Sequence, residues 1–288
     1  MTRQLGTMPI KTFESIIDQI KPWTGGEWDE WTDFVRKNYG IKENEIGENH
    51  FFLYIVPKVI TLHGYGEPLL DNHIMYRLQY LNDHNIPSYF SCHPNNLDLH
   101  LGQDLFENGL NYLKCSTDNI RYFEEKKDML KQLIAIKHQN GYGTKLIFDI
   151  VGSQNSFPKL SKLFNINDVY MYQKSTDNQW YRQSNGNQKS VHWNEICQFP
   201  WSSMSVMWDG SVVPCSQDFN CEMVLGDVND GKLYDIWNGI RYYNFRNSHL
   251  KLDFDLKCVD RCDMRVIGNK KEKSGKELIT IVETPGVR

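Results

Sequence analysis

The sequence predicts an α/β fold, with a parallel sheet or (β/α) barrel in the first 172 residues and a smaller α+β unit with a β-hairpin after it. Three observations predict it. Short β-branched runs alternate with stretches of helical periodicity as far as Tyr172, the pattern of parallel strands joined by helical crossovers. Polar and glycine-rich residues collect directly after those runs, where parallel α/β folds place their chemistry. Five of the seven cysteines lie in the last third of the chain, beyond a polar stretch in which the alternation stops.

The first element is an amphipathic helix, since Ile10, Phe13, Ile16, Ile17 and Ile20 recur at helical spacing. Residues 21–49 are polar and tryptophan-bearing; Trp28, Trp31, Phe34 and Val35 indicate a second short helix in what reads as an insertion. Residues 58–62 form a β-branched run that breaks at His63-Gly64-Tyr65-Gly66-Glu67-Pro68, a strand followed by a glycine-rich loop. A helix over 71–84 follows. Residues 88–91 make a strand ending at Cys92-His93-Pro94-Asn95-Asn96, and 112–116 make one ending at Thr117-Asp118. One long helix is predicted over 120–138. Strand 145–151 ends at Gly152-Ser153-Gln154-Asn155, and helix 159–164 leads to a fifth strand over 168–172.

The domain boundaries follow from these patterns: an α/β unit over 1–172, a linker rich in Asn, Gln and Ser over 173–192, a cysteine-bearing unit over 193–268, and a charged, loosely held tail over 269–288. Of the 288 residues, 40% are apolar and 24% charged, which places the chain among globular proteins. Thirty-two basic residues against 36 acidic ones give a net charge of -4, so there is no basic footprint for nucleic acid. The first residues lack a secretory pattern, and the longest apolar stretch, 51–62, is interrupted by Pro57 and Lys58 and is too short to span a bilayer. A cytoplasmic protein with no membrane partner is expected. An odd cysteine number in a chain of this length argues against a disulfide framework.

Two motifs carry chemistry. In Gly64-Tyr65-Gly66-Glu67-Pro68, small residues would let a ligand approach the backbone, and the carboxylate could accept hydrogen bonds from an ammonium group. The same residues also fit a tight strand-to-helix turn with Glu67 near a helix N-terminus. In the second motif, Asp209-Gly210 turns between two short strands and brings Cys197 and Cys215 toward one another. Cys258 and Cys262 supply a second close pair. Four thiolates in two pairs suit a zinc ion or an iron–sulfur cluster, and spacing does not separate the two. Packing of buried cysteines is the plainer alternative.

Phe199-Pro200-Trp201, Met207 through Asp218, Leu225-Gly226-Asp227-Val228 and Leu233 through Asn238 resemble the SPASM/Twitch auxiliary-cluster domain of radical S-adenosylmethionine (radical SAM) enzymes. The resemblance implies one auxiliary [4Fe–4S] cluster on Cys197, Cys215, Cys258 and Cys262, with Cys221 as an alternative ligand. The last pair departs from the commoner spacing, with three intervening residues rather than two. From about Arg3 to Tyr172 the chain is similar to the radical SAM barrel. Gly64, Gly66, Glu67 and Pro68 match the loop that holds the methionine amino group of S-adenosylmethionine, and Ser116 and Asp118 match the end of a strand that approaches it. Short polar residues also cap helices, here the one near Ile120.

The family's CxxxCxxC loop, which holds the catalytic [4Fe–4S] cluster, has no counterpart, because no cysteine precedes Cys92. A partial (β/α)6 barrel without its first strand is therefore expected, as is an N-terminally truncated sequence rather than a degenerate relative, since a lost strand leaves an open sheet edge. The resemblance implies radical hydrogen abstraction and oxidation or modification of a sugar, cyclitol or peptide substrate, with flavodoxin or ferredoxin as reductant. A second, catalytic [4Fe–4S] cluster is implied only where that N-terminal segment is present. His93, Asn95, Gln154, Asn155 and Tyr172, near predicted strand ends, either line a polar pocket or serve as ordinary turn residues. A non-catalytic iron–sulfur protein and a zinc-stapled structural module are the competing classes.

Overall fold

The computed structural model describes residues 3–43, 50–64, 66–152, 156–174, 199–216 and 218–251. Its helices are α1 (Ile10–Ile17), α2 (Gly25–Tyr39), α3 (Ile74–Asp83), α4 (Leu99–Glu107), α5 (Ile120–Glu125), α6 (Lys127–Gln139), α7 (Phe157–Leu163), α8 (Phe199–Ser202), α9 (Leu233–Trp237) and α10 (Ile240–Leu250). Two compact units emerge: the first takes the described residues of Met1–Pro22, Ile46–Gln179 and Met207–Gly210, the second those of Trp23–Glu45, Trp180–Val206 and Ser211–Arg288.

In the first unit, β1 (Ile60–Thr61), β2 (Ser88–Cys92), β3 (Tyr112–Thr117), β4 (Lys145–Val151) and β5 (Tyr170–Lys174) pair in parallel and in sequence order. Doubly wound sheets reverse their order at a switch point, whereas barrels add strands in one direction, so this order is barrel-like winding. The register sets Cys92 opposite Cys115 and Ser116 opposite Asp149. One face carries Phe90, Cys92, Leu113, Cys115, Phe148, Ile150 and Met171 into a continuous apolar core with residues of α3 to α7. The other face packs Tyr89, Ile147 and Tyr172 against Phe51 and Ile55 of a π-helical turn, Phe51–Ile55.

Several elements depart from expectation, each for a local reason. The single helix over 120–138 is two: Lys126, at φ -95 and ψ 4, ends α5, after which α6 packs on α4 while α5 packs on α7. One connection thereby covers two neighbours. The fifth strand begins two residues later than expected, because the amides of Asp168 and Val169 turn back to the Asn165 carbonyl at 3.1 and 3.3 Å. Helix α4 is an element beyond those expected from sequence; Asp98 caps it by accepting from the Leu101 amide at 2.8 Å. Gly102 lets α4 approach α6, since a Cβ there would fall 2.7 Å from the Leu133 methyl carbons.

Helix α1 buries Phe13, Ile16 and Ile17. Phe13 meets Tyr80 of α3 edge-on at 6.0 Å, and the Arg77 guanidinium, paired with Asp71 at 2.7 Å, lies 4.8 Å over the Phe13 ring. The turn residues Trp208 and Asp209 also belong to this unit: Trp208 donates to the Gln4 carbonyl at 3.1 Å, and Asp209 pairs with Arg3.

In the second unit, α2 starts with a reciprocal capping box between Thr24 and Glu27 and ends at Gly40, whose φ of 69 is left-handed. It buries Trp31 and Val35. Strands β6 (Ser205–Val206), β7 (Ser211–Val213) and β8 (Gly226–Asp227) form an antiparallel sheet in that order. The expected hairpin is present, its turn closed by the Gly210 amide donating to the Met207 carbonyl at 2.9 Å. Among the described residues no helix is long and apolar enough to cross a membrane.

Candidate functional site

The ends of β1, β2 and β3 are tied together by one polar chain. Glu67 Oε2 accepts from the His93 backbone amide at 3.0 Å and from the Asn96 side-chain amide at 2.8 Å. Among the described residues its other oxygen, Oε1, meets only the Leu69 amide, at 3.4 Å. His93 Nδ1 accepts from the Asn95 amide at 3.2 Å, which puts the proton of the neutral ring on Nε2, facing Thr117 Oγ1 at 3.4 Å. Thr117 Oγ1 in turn accepts from the Asn119 amide at 3.2 Å. The Glu67 loop is thus held by partners 26 and 29 residues away.

Gly64 and Gly66 adopt no left-handed backbone, and a Cβ on either would meet nothing within 4 Å. Among the described residues nothing packs over either glycine, which leaves the backbone open as an approaching ligand would need. Pro68 is buried, while Glu67 is half-buried. Ser116 is half-buried opposite Asp149, and Asp118 is exposed. The cap of α5 is neither of these, because Asn119 accepts from the Arg121 amide at 3.0 Å. Of the other polar candidates, Asn95 is exposed and Tyr172 buried, while Gln154 and Asn155 lie outside the described residues.

Next to this loop cluster, the sheet face that carries Ser116 holds charges that the strand reading did not single out. Lys114 Nζ lies 3.2 Å from Asp149 Oδ2 and donates to the Tyr172 hydroxyl at 2.9 Å, with the Phe51 ring 4.8 Å away. Asp149 is fully buried, and neither carboxylate oxygen has a hydrogen-bond donor among the described residues. Charged residues inside otherwise apolar parallel strands are rare enough to have marked both from sequence. His63 accepts from the Ser91 amide at 3.2 Å; desolvation, with a contribution from Lys114, pushes its pKa down to about 3, so the ring is neutral at pH 7.

In the cysteine unit, Asp218 organises one loop. Its buried carboxylate accepts from the Glu222 and Met223 amides at 2.9 and 2.7 Å. Its own amide donates to the Cys215 carbonyl at 3.2 Å, and the Cys221 amide donates to its carbonyl at 3.0 Å. Cys221 sits at φ 56, a conformation that a non-glycine residue keeps only when its surroundings impose it. Cys215 and Cys221 are therefore brought onto one loop. Cys197, Cys258 and Cys262 lie outside the described residues, and among those described no group of three or more His, Cys, Asp or Glu is arranged for a metal.

Thiolates are the usual ligands of an iron–sulfur cluster, and the thiols of Cys215 and Cys221, neither fully buried, are the described donors of that chemistry in this unit.

Residues 197–264 match SPASM, an iron-sulfur cluster-binding domain. Over 53 residues the chain is 36% identical to an S-adenosyl-L-methionine-dependent 2-deoxy-scyllo-inosamine dehydrogenase of Niallia circulans, a stretch covering 18% of this chain and 21% of that relative. Among solved structures, BtrN in complex with AdoMet and 2-DOIA aligns over 85% of this chain and 76% of its own, at 15% identity and a TM-score of 0.48. SuiB of Streptococcus suis bound to S-adenosylmethionine aligns over 69% of this chain and 59% of its own, at 14% identity and a TM-score of 0.46. Residues 197–264 are thus similar to the SPASM iron–sulfur cluster-binding domain, and the matched stretch spans about a fifth of the curated relative.

Proposed function

We propose that this chain serves S-adenosylmethionine-dependent radical oxidation of a hydroxylated small molecule of the sugar or cyclitol class. The 36% identity to an S-adenosyl-L-methionine-dependent inosamine dehydrogenase carries this reading. With a reduced catalytic cluster held by a CxxxCxxC segment, the chemistry supplied is cleavage of S-adenosylmethionine to a 5′-deoxyadenosyl radical that abstracts hydrogen from the substrate.

The residues of this chain bind and orient. Glu67 Oε1 accepts the methionine ammonium, while Oε2 is held by His93 and Asn96 so that the carboxylate cannot swing away. Gly64 and Gly66 leave the backbone open to the ligand, and Ser116 and Asp118 border it. Lys114, Asp149 and Tyr172 give the sheet face beside Ser116 the buried donors and acceptors that a polyol or amino-alcohol needs. In the SPASM domain, Cys197, Cys215, Cys258 and Cys262 hold one [4Fe–4S] cluster, with Cys221 as the alternative ligand, and a flavodoxin or ferredoxin supplies electrons. A peptide substrate has no comparable observation in its favour.

The test is anaerobic reconstitution followed by an iron and sulfide count and by equilibrium dialysis against S-adenosylmethionine. About four irons per chain are expected. Binding of the ligand should weaken roughly tenfold in Glu67→Gln, the loss of one charge-assisted hydrogen bond. Zinc in place of iron would make the cysteine unit a structural module. Iron without ligand binding would make the chain a non-catalytic iron–sulfur protein.

A further inference from the structure

The hairpin turn Met207–Gly210 belongs to the first unit, although the strands on either side of it belong to the second. It grips the segment that leads into α1. Trp208 Nε1 donates to the Gln4 carbonyl at 3.1 Å, the Arg3 guanidinium lies 5.9 Å over the Trp208 ring, and Arg3 pairs with Asp209. The indole covers Gly6 so closely that a Cβ there would fall 2.5 Å from the ring. Gly6 has no left-handed backbone, so it is this close approach that calls for glycine.

The far end of the same segment is held from α3. The Met8 carbonyl accepts from Arg77 Nη2, and Arg77 Nε donates to Asp71 Oδ2 at 2.7 Å. Arg77 is 3% exposed, its guanidinium 4.8 Å over the Phe13 ring. Asp71 closes the turn that starts at Glu67: its amide donates to the Pro68 carbonyl and the Leu70 amide to the Glu67 carbonyl, both at 3.1 Å. Polar contacts thus run from Trp208, through residues 4–8 and Arg77, to the Glu67 turn. Residues 4–7 are exposed and bury little, so contacts to them fix position more than they stabilise the fold.

We propose that Trp208 is a positioning residue for S-adenosylmethionine: it holds residues 4–8 and, through Arg77 and Asp71, keeps the Glu67 turn in its binding geometry. This rests on the reading of Glu67 as acceptor of the methionine ammonium, and goes beyond it by naming what supports that turn from outside the sheet. The hairpin turn is then part of the ligand site's support.

The experiment is equilibrium dialysis of the reconstituted full chain against S-adenosylmethionine, unaltered and as Trp208→Ala, Trp208→Phe and Gly6→Ala, with amide exchange of β3 and β4 measured alongside. Trp208→Ala should weaken binding roughly fivefold, the size of effect that residues along such a connection have, and leave β3 and β4 as protected as before. Trp208→Phe keeps a ring over Gly6 and should recover part of the loss. Gly6→Ala displaces the indole without altering it and should match Trp208→Ala. In a chain labelled with 5-fluorotryptophan, the fluorine resonance that is missing from Trp208→Phe should shift when the ligand is added, a response that a merely structural tryptophan would lack. If the unaltered chain does not bind S-adenosylmethionine, the reading of Glu67 fails and this inference with it. If it binds, this inference alone is overturned by Trp208→Ala and Gly6→Ala binding as tightly, by an unmoved resonance, or by binding and β3–β4 protection being lost together.

Discussion

The sheet unit and the cysteine unit carry similar chemistry-bearing loops on very different foundations. Around β2, β3 and β4, one continuous apolar core runs from Leu78 and Phe90 through Leu113 and Phe148 to Met171, and helices α3 to α7 contribute to it. Burial on that scale holds parallel strands without help from a ligand. The cysteine unit has a three-stranded sheet with strands of two or three residues, and its described buried apolar residues include Val212, Val213, Leu225, Val228 and Tyr242. Units with such small cores rely on metals or cross-links. The difference teaches that polar groups in the first unit are a cost the core absorbs, whereas in the second the bound group is expected to be part of the fold.

Three measurements would break or sharpen that comparison. The largest effect is expected from Cys215→Ser, which should take the iron content from about four per chain to below one and open residues 199–251 to limited proteolysis. Amide-exchange protection of β3 and β4 should stay as it was. Equal loosening of both units would abolish the distinction.

The next effect is confined to the sheet. Lys114→Met leaves the buried Asp149 carboxylate without its 3.2 Å partner, and the slowest amides of β3 and β4 should lose about 3–5 kcal/mol of protection. Adding Asp149→Leu should restore most of it, because paired removal replaces ions by apolar contact. A double variant no better than the single one would mean that the pair holds the sheet by more than charge balance.

The smallest effect is a pH dependence. In the folded sheet, burial first and then the nearby Lys114 charge push the His63 pKa down to about 3, below the ordinary histidine value of about 6.5. The unfolded chain therefore binds a proton that the folded one refuses, and stability falls as pH drops from about 6.5 toward 3. Acidification from pH 6.5 to 5 should cost on the order of 2 kcal/mol in the sheet unit, and His63→Phe should flatten that slope. A sheet indifferent to pH in this window would show that His63 is more hydrated than its surroundings indicate.

Much of this architecture was legible in the order of residues. β4 was read at its observed limits because Lys145–Val151 is a single β-branched and aromatic run, and the Asp209-Gly210 hairpin followed from turn chemistry alone. The capping box Thr24–Glu27 is a local signal of the same kind. Helix α4 has only nine residues between two strand ends, yet Asp98 and the spacing of Leu101 and Leu105 announce it. The break at Lys126 had no proline or glycine to signal it; it arises where α5 and α6 must follow different neighbours.

The site divides in the same way. Gly64, Gly66 and Glu67 stand out in sequence because small and charged residues interrupt an apolar run, and the Cys215–Cys221 loop does so by its thiols. The sequence by itself determined the alternation of strands and helices, the hairpin and the residue types of both motifs, since periodicity and turn propensity act over a few residues. Only the tertiary structure decided that Glu67 is held by His93 and Asn96, and that Lys114 meets Asp149 and a hydroxyl 58 residues away. Those are properties of strand register and helix packing, which depend on groups far apart along the chain.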